Sequence, residues 1–185
     1  MKASRKSKTR HKPRKVSKQH LENVALWYLA RYQASARSLE RVLMRRVARS
    51  AEHHGTDPED GRTLVADLIA RYQNAGLLDD AAYARARAAS LHGRGVSLRV
   101  IAGRLREKGV KQAAIEDALA TLSEVADDGS PDLAAARRTA RRRRLGPWRR
   151  REDREGRREK DLAALARAGF TYDVARQVID AEDPA

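Results

Sequence analysis

The stretch SLRVIAGRLREKGVKQAAIEDALATL, Ser97 to Leu122, decides the fold. Leu98, Ile101, Ala102 and Leu105 lie three, four and seven residues apart, the spacing of one helical face rather than the alternation of a strand. Gly109 stops that helix, and Lys108 sits in the last turn, where a cation meets the carbonyl end of the helix dipole. Ile115, Ala118, Leu119 and Leu122 then form a second stripe. The pattern returns near the end of the chain. Leu105-x3-Gly109-Val110-x4-Ile115-x3-Leu119 aligns without a gap with Leu165-x3-Gly169-Phe170-x4-Ala175-x3-Ile179. It reads as a helix, a glycine C-cap, and a helix packing back on the first.

Helical stripes fill the rest of the chain. Leu21, Ala25, Tyr28 and Tyr32 share a face, as do Leu39, Val42, Leu43 and Val47. A polar stretch, Ser50 to Gly61, follows and reads as a long connection. Within it, Asp57-Pro58 has the form of an N-cap with proline at the first helical position. Leu64, Val65, Leu68, Ile69 and Tyr72 form the next stripe. Asn74-Ala75-Gly76 closes that helix, and Asp79-Asp80 opens another, where carboxylates cap free N–H groups. His92-Gly93-Arg94-Gly95 and Asp127-Asp128-Gly129-Ser130-Pro131 are further breaks, the latter followed by a helix starting at Ser130 and Pro131. These stripes predict an all-α chain of three tandem three-helix repeats, 21–78, 79–130 and 131–185, behind a disordered basic arm over 1–20. Helices this short cannot bury a core singly, so neighbouring repeats are expected to stack into an elongated, curved solenoid.

Composition agrees. Apolar residues are 41% of the chain, but aromatics only 4%, so Ala, Leu and Val must do most of the packing, which suits close helices. The absence of cysteine excludes disulfides and thiolate metal sites. No apolar run approaches the roughly 18 residues of a membrane span, and the basic start lacks the apolar core of a signal peptide. A cytoplasmic, soluble monomer is the expectation. The net charge of +15 is concentrated: nine Lys/Arg and no acid in residues 1–20, thirteen Lys/Arg and four acids in 137–160, with the remainder slightly acidic. Such clustering points to a polyanion.

The residues Tyr28-Leu29-Ala30-Arg31, Ser35 and Leu39 resemble the opening helix pair of the RecX family. Gly76-Leu77-Leu78-Asp79-Asp80 with Tyr83-Ala84 resembles that family's most characteristic stretch, and Arg94-Gly95, Ile101, Leu105, Lys108-Gly109-Val110, Ile115, Ala118 and Leu119 continue it in order. The resemblance covers 23–122 well and 131–181 more loosely. It implies three tandem three-helix repeats. It also implies a non-enzymatic regulator lodged in the groove of the RecA–DNA filament, inhibiting recombinase activity and ATP hydrolysis and so modulating DNA repair, recombination and the SOS response.

Chemistry-bearing constellations are sparse. His53, His54, Asp57, Glu59 and Asp60 cluster, but on a reading that places them in a loop with no helical pair to fix ligands. Asp79-Asp80 is explained by helix capping, and Gly93-Arg94-Gly95 lacks the Lys-Ser/Thr of a phosphate loop. No catalytic residue, metal or cofactor is expected. Binding residues are the better candidates. Arg137, Arg138, Arg141, Arg142, Arg143 and Arg144 crowd one helix, and consecutive arginines cannot all face one way. Arg149, Arg150 and Arg151 extend the patch, with Trp148 placed either to stack on a base or to anchor a loop on the core. Arg94, Arg99, Arg104, Arg106 and Lys108 add cations to the middle repeat. Guanidinium forks suit phosphate and carboxylate alike; the resemblance implies RecA protein and single-stranded DNA within its filament as partners, and the basic clusters add free DNA. A general DNA- or RNA-binding helical protein is the rival reading.

Overall fold

The computed structural model describes residues 13–124 and 130–182. Among these, nine α-helices and two short 3-10 turns account for the regular structure, with no strand. They are α1 (Lys18–Leu29), α2 (Ala36–His54), α3 (Pro58–Asn74), α4 (Asp80–Gly93), α5 (Leu98–Glu107), α6 (Gln112–Glu124), α7 (Pro131–Arg143), α8 (Arg154–Arg167) and α9 (Tyr172–Ile179). The chain divides into two compact units, the first ending at Leu78 and the second starting at Asp79.

In the first unit α1, α2 and α3 enclose Leu21, Leu39, Leu43, Val47, Val65, Leu68 and Tyr72. All seven belong to stripes read from the sequence, but Tyr32 and Val42 of those stripes lie outside this core, Tyr32 because α1 ends at Leu29 before reaching it. Each buried aliphatic side chain contributes about 2 kcal/mol by leaving water. The arm begins differently from expectation. Residues 1–12 of the expected 1–20 arm lie outside the described residues, and helix starts at Lys18 because the Ser17 hydroxyl accepts a hydrogen bond from the His20 N–H. The segment before it is tied down: the Val16 N–H donates to the Ser50 Oγ at 2.9 Å, and His54 Nε2 donates to the Pro13 carbonyl at 2.7 Å.

Ser50 to Gly61 is not the long connection expected. Helix α2 continues to His54, Gly55 caps it in the left-handed region, and α3 starts at Pro58 behind the N-cap Asp57, whose carboxylate accepts from the Glu59 N–H. The polar residues misled because two of them are structural. Ser50 is fully buried and also receives the Thr56 hydroxyl at 2.9 Å. Gly61 lies inside α3 against α2, where an added Cβ would stand 2.4 Å from Val47 Cγ1. It is a close-packing glycine, not a breaker.

The second unit holds two separate buried clusters. One gathers Ala84, Ala88, Leu91, Ile101, Leu105, Val110, Ile115 and Ala118 from α4 to α6. The other gathers Leu133, Ala136, Ala140, Leu145, Leu162, Leu165, Phe170, Ala175, Val178 and Ile179 from α7 to α9. The matched glycines of the repeat, Gly109 and Gly169, have φ of 75° and 97°, a conformation that only glycine adopts without strain. Asp79 caps α4 by accepting from the Ala81 and Ala82 N–H groups, and Ser130 caps α7 through Leu133. Asp127, Asp128 and Gly129 of the break expected before Ser130 lie outside the described residues.

Polar bonds join these two clusters within the second unit. Ser97 stands at the N-cap of α5 but does not cap it; its hydroxyl donates to the Ala168 carbonyl at 3.1 Å. Asp132 supplies the missing cap from α7, accepting from the Leu98 N–H at 2.8 Å. The buried Thr139 hydroxyl donates to the Gly95 carbonyl at 2.6 Å, and a Cβ on Gly95 would lie 2.9 Å from the Ala135 carbonyl oxygen. Backbone and side chains thus interlock too closely for anything larger than glycine.

Candidate nucleic-acid and partner interface

The arginine-dense segment splits once side chains are followed to their partners. Helix α7 presents its alanines inward: Ala135, Ala136, Thr139 and Ala140 are buried. Arg142 Nη1 donates to the Arg94 carbonyl at 2.5 Å, and Arg138 Nη1 to the His92 carbonyl at 3.5 Å. Both use their charge on the carbonyl end of α4, where the last C=O groups lack helical partners and the dipole favours a cation. His92 completes the contact, donating from Nε2 to the Pro131 carbonyl at 2.7 Å. Arg137 is half-buried. Arg141, Arg143 and Arg144 project into solvent, and among the described residues their guanidinium groups hold no partner. Arg144 ends α7 with φ 55°, the one described residue other than glycine with positive φ.

The segment after α7 is held by a buried carboxylate. Asp161, 2% exposed, accepts from the Gly146 N–H at 2.9 Å and from Arg149 Nε and Nη2 at 3.1 and 2.8 Å. That fork raises the Arg149 pKa further, chiefly through the hydrogen bond to Asp161. Arg154 staples the same turn, donating to the Pro147, Arg149 and Glu182 carbonyls. Arg158 forms a two-pronged pair with Asp180 at 2.7 and 2.8 Å, which raises the arginine pKa and lowers that of the carboxyl. Arg151, Arg154, Arg158 and Asp180 line an open cleft of about 470 Å³, but two of its three arginines are already paired or bonded to backbone. Trp148 is half-buried and packs against the α7–α9 cluster, the loop-anchoring role. Arg150 reaches only an exposed contact of 4.0 Å with Glu152, of little energetic weight, and Arg151 is exposed. In the middle repeat Arg94, Arg99, Arg104, Arg106 and Lys108 are all exposed, and Arg106 Nε donates to Gln112 at 3.3 Å.

Two features escaped the sequence reading. On α2, Arg37, Arg41, Arg45 and Arg49 recur every fourth residue and are all exposed. Counting charge by segment hid them among the acids of the first unit, although their spacing alone marks a single stripe. At the end of α1, Trp27 is 55% exposed with the Arg31 guanidinium 4.3 Å over its ring, and Tyr32 is 52% exposed beside Tyr28. Among the described residues no group of three or more His, Asp and Glu is arranged to hold a metal ion, and no helix is long and apolar enough to cross a membrane. His53 and His54 lie on the last turn of α2, not in a loop.

Comparison with known proteins places this architecture. The RecX second three-helix domain matches residues 79–119, which hold α4 to α6 up to Leu119. A regulatory protein RecX of Myxococcus xanthus (strain DK1622) is 47% identical over 171 residues, 91% of this chain and 89% of that protein. The chain belongs to the RecX family. A second regulatory protein RecX, from Agrobacterium fabrum (strain C58 / ATCC 33970), is 34% identical over 157 residues, 85% of this chain and 80% of its own length. A crystal structure of a regulatory protein RecX shares the fold, with a TM-score of 0.60 at 22% identity over 89% of this chain and 72% of that one. RecX proteins are regulators by name, and the all-helical repeats described above are of their kind.

Proposed function

We propose that this RecX-family chain binds the RecA recombinase filament and inhibits its recombinase and ATPase activities, thereby modulating DNA repair, recombination and the SOS response. It does so in the cytoplasm, as a monomer, by occupancy rather than catalysis. The observation that supports this reading is the division of labour in α7. Arg138 and Arg142 bond across to the carbonyl end of α4, which fixes the helix, while Arg141, Arg143 and Arg144 remain exposed and unpaired among the described residues. A recombinase filament offers both DNA phosphate and carboxylates to such preorganised guanidinium groups. Arg150, Arg151 and the exposed cations of α5 extend the same reading.

Charge reversal at the exposed positions, Arg141→Glu with Arg143→Glu and Arg144→Glu, leaves the α4–α7 bonds in place. Wild-type affinity for the assembled filament is expected to fall as salt rises, and the variant to bind weakly already at low salt. Unchanged filament affinity in the variant would remove the patch from the interface. Loss of affinity for bare DNA alone, with filament binding intact, would favour a general nucleic-acid binder.

A further inference from the structure

We propose that the outward face of α2 in the first unit is a binding site for the sugar–phosphate backbone of a single nucleic-acid strand, separate from the arginines of the third repeat. Helix α2 buries Leu39, Leu43 and Val47 on one side. Opposite them, Arg37, Arg41, Arg45 and Arg49 advance by about 6 Å per step along the helix. All four are exposed, and among the described residues Arg37, Arg45 and Arg49 donate no hydrogen bond and pair with no acid. Like charges four apart oppose helix formation. Arg37, Arg45 and Arg49, with only Glu52 on the same face, are therefore unexplained by folding.

The Val16–Ser50 and His54–Pro13 bonds fix the segment with Arg14 and Lys15 against the buried side of α2, where Lys15 lines a cavity with Asp57 and Asp60, so these cations are separate from the stripe. Arg46, on the flank of the stripe, and Arg14 both act on His20, whose proton affinity is lowered by burial and then by these two charges. A linear row of guanidinium groups along one helix suits a repeating phosphate chain, which needs no base-specific contacts.

The test uses the full chain without recombinase, so its failure is distinct from failure of the RecA reading. Arg37→Gln, Arg45→Gln and Arg49→Gln are combined, and binding to labelled oligo-dT is followed by fluorescence anisotropy between about 50 and 200 mM salt. The slope of log affinity against log salt is expected to become shallower by about 2, near 0.7 for each phosphate no longer neutralised on a single strand. Arg45→Gln alone, should the triple variant lose helicity, is expected to remove about 0.7 of the slope. Neutralising Arg141, Arg143 and Arg144 instead is expected to leave most of the slope in place. An unchanged slope in the α2 variants overturns the proposal. So does an equal loss of binding to polyglutamate, which would make the occupant an acidic protein surface.

Discussion

The arginines of the third repeat and those of α2 look alike in sequence and differ in what they do. Around α7 and α8 the guanidinium groups of Arg138, Arg142, Arg149, Arg154 and Arg158 are spent on carbonyls or carboxylates of the same unit. On α2, Arg37, Arg45 and Arg49 have no such partner among the described residues. Arginine density therefore does not measure availability. The densest run in the chain serves partly as mortar, and a sparser stripe stands open.

That contrast can be broken most severely at Asp161. Asp161→Ala removes the acceptor of three hydrogen bonds and strands Arg149 beside a buried gap, and is expected to cost about 3 kcal/mol in urea unfolding. A loss below about 0.5 kcal/mol would mean that the pair is not structural. Arg142→Ala sharpens the contrast within one helix: it should cost about 1 kcal/mol by uncapping α4, whereas Arg141→Ala should stay within about 0.5 kcal/mol. Equal effects would erase the distinction between them. On α2, Arg45→Ala is expected to leave thermal stability unchanged or raise it by about 0.2–0.5 kcal/mol, because it relieves like-charge pairs four residues away. A clear destabilisation would show that the stripe has a folding role.

The smallest expected effect concerns His20. Burial, then Arg46 and Arg14, weaken its hold on a proton in the folded chain relative to the usual 6.5. The unfolded chain then binds more protons once pH falls below about 6.5, so stability declines from there downward, and no such contribution exists above it. Proton NMR titration should place His20 below the usual value, and Arg46→Gln should move it back up. A midpoint unaffected by that substitution would show that Arg46 does not contribute to the field at His20.

The repeat was legible because its signals are local. The glycine turns, most of the apolar stripes and the caps at Asp57, Asp79 and Ser130 act over a few residues and stand where the sequence put them, whereas Tyr32, read onto the first stripe, lies beyond α1 and is exposed. What the sequence hid depends on distant partners. Ser50 and Gly61 looked like loop residues because burial against Val16 and Val47 cannot be read from composition. Ser97 looked like a cap, but its hydroxyl goes to Ala168 and Asp132 caps in its place. The fate of Arg142 rests on a carbonyl 48 positions earlier in the chain, so no inspection of the arginine run separates it from Arg141. The α2 stripe is readable from its four-residue spacing, but acids elsewhere in the first unit offset it in net charge.

The most direct test of the regulatory reading is DNA-dependent ATP hydrolysis by the cognate RecA, titrated with this protein at amounts well below the recombinase and with DNA in excess. Strong inhibition under those conditions is the predicted result, because a few bound copies acting on the filament affect many subunits. Inhibition only when the protein suffices to coat the DNA would contradict it, and would leave competition for the polyanion as the explanation.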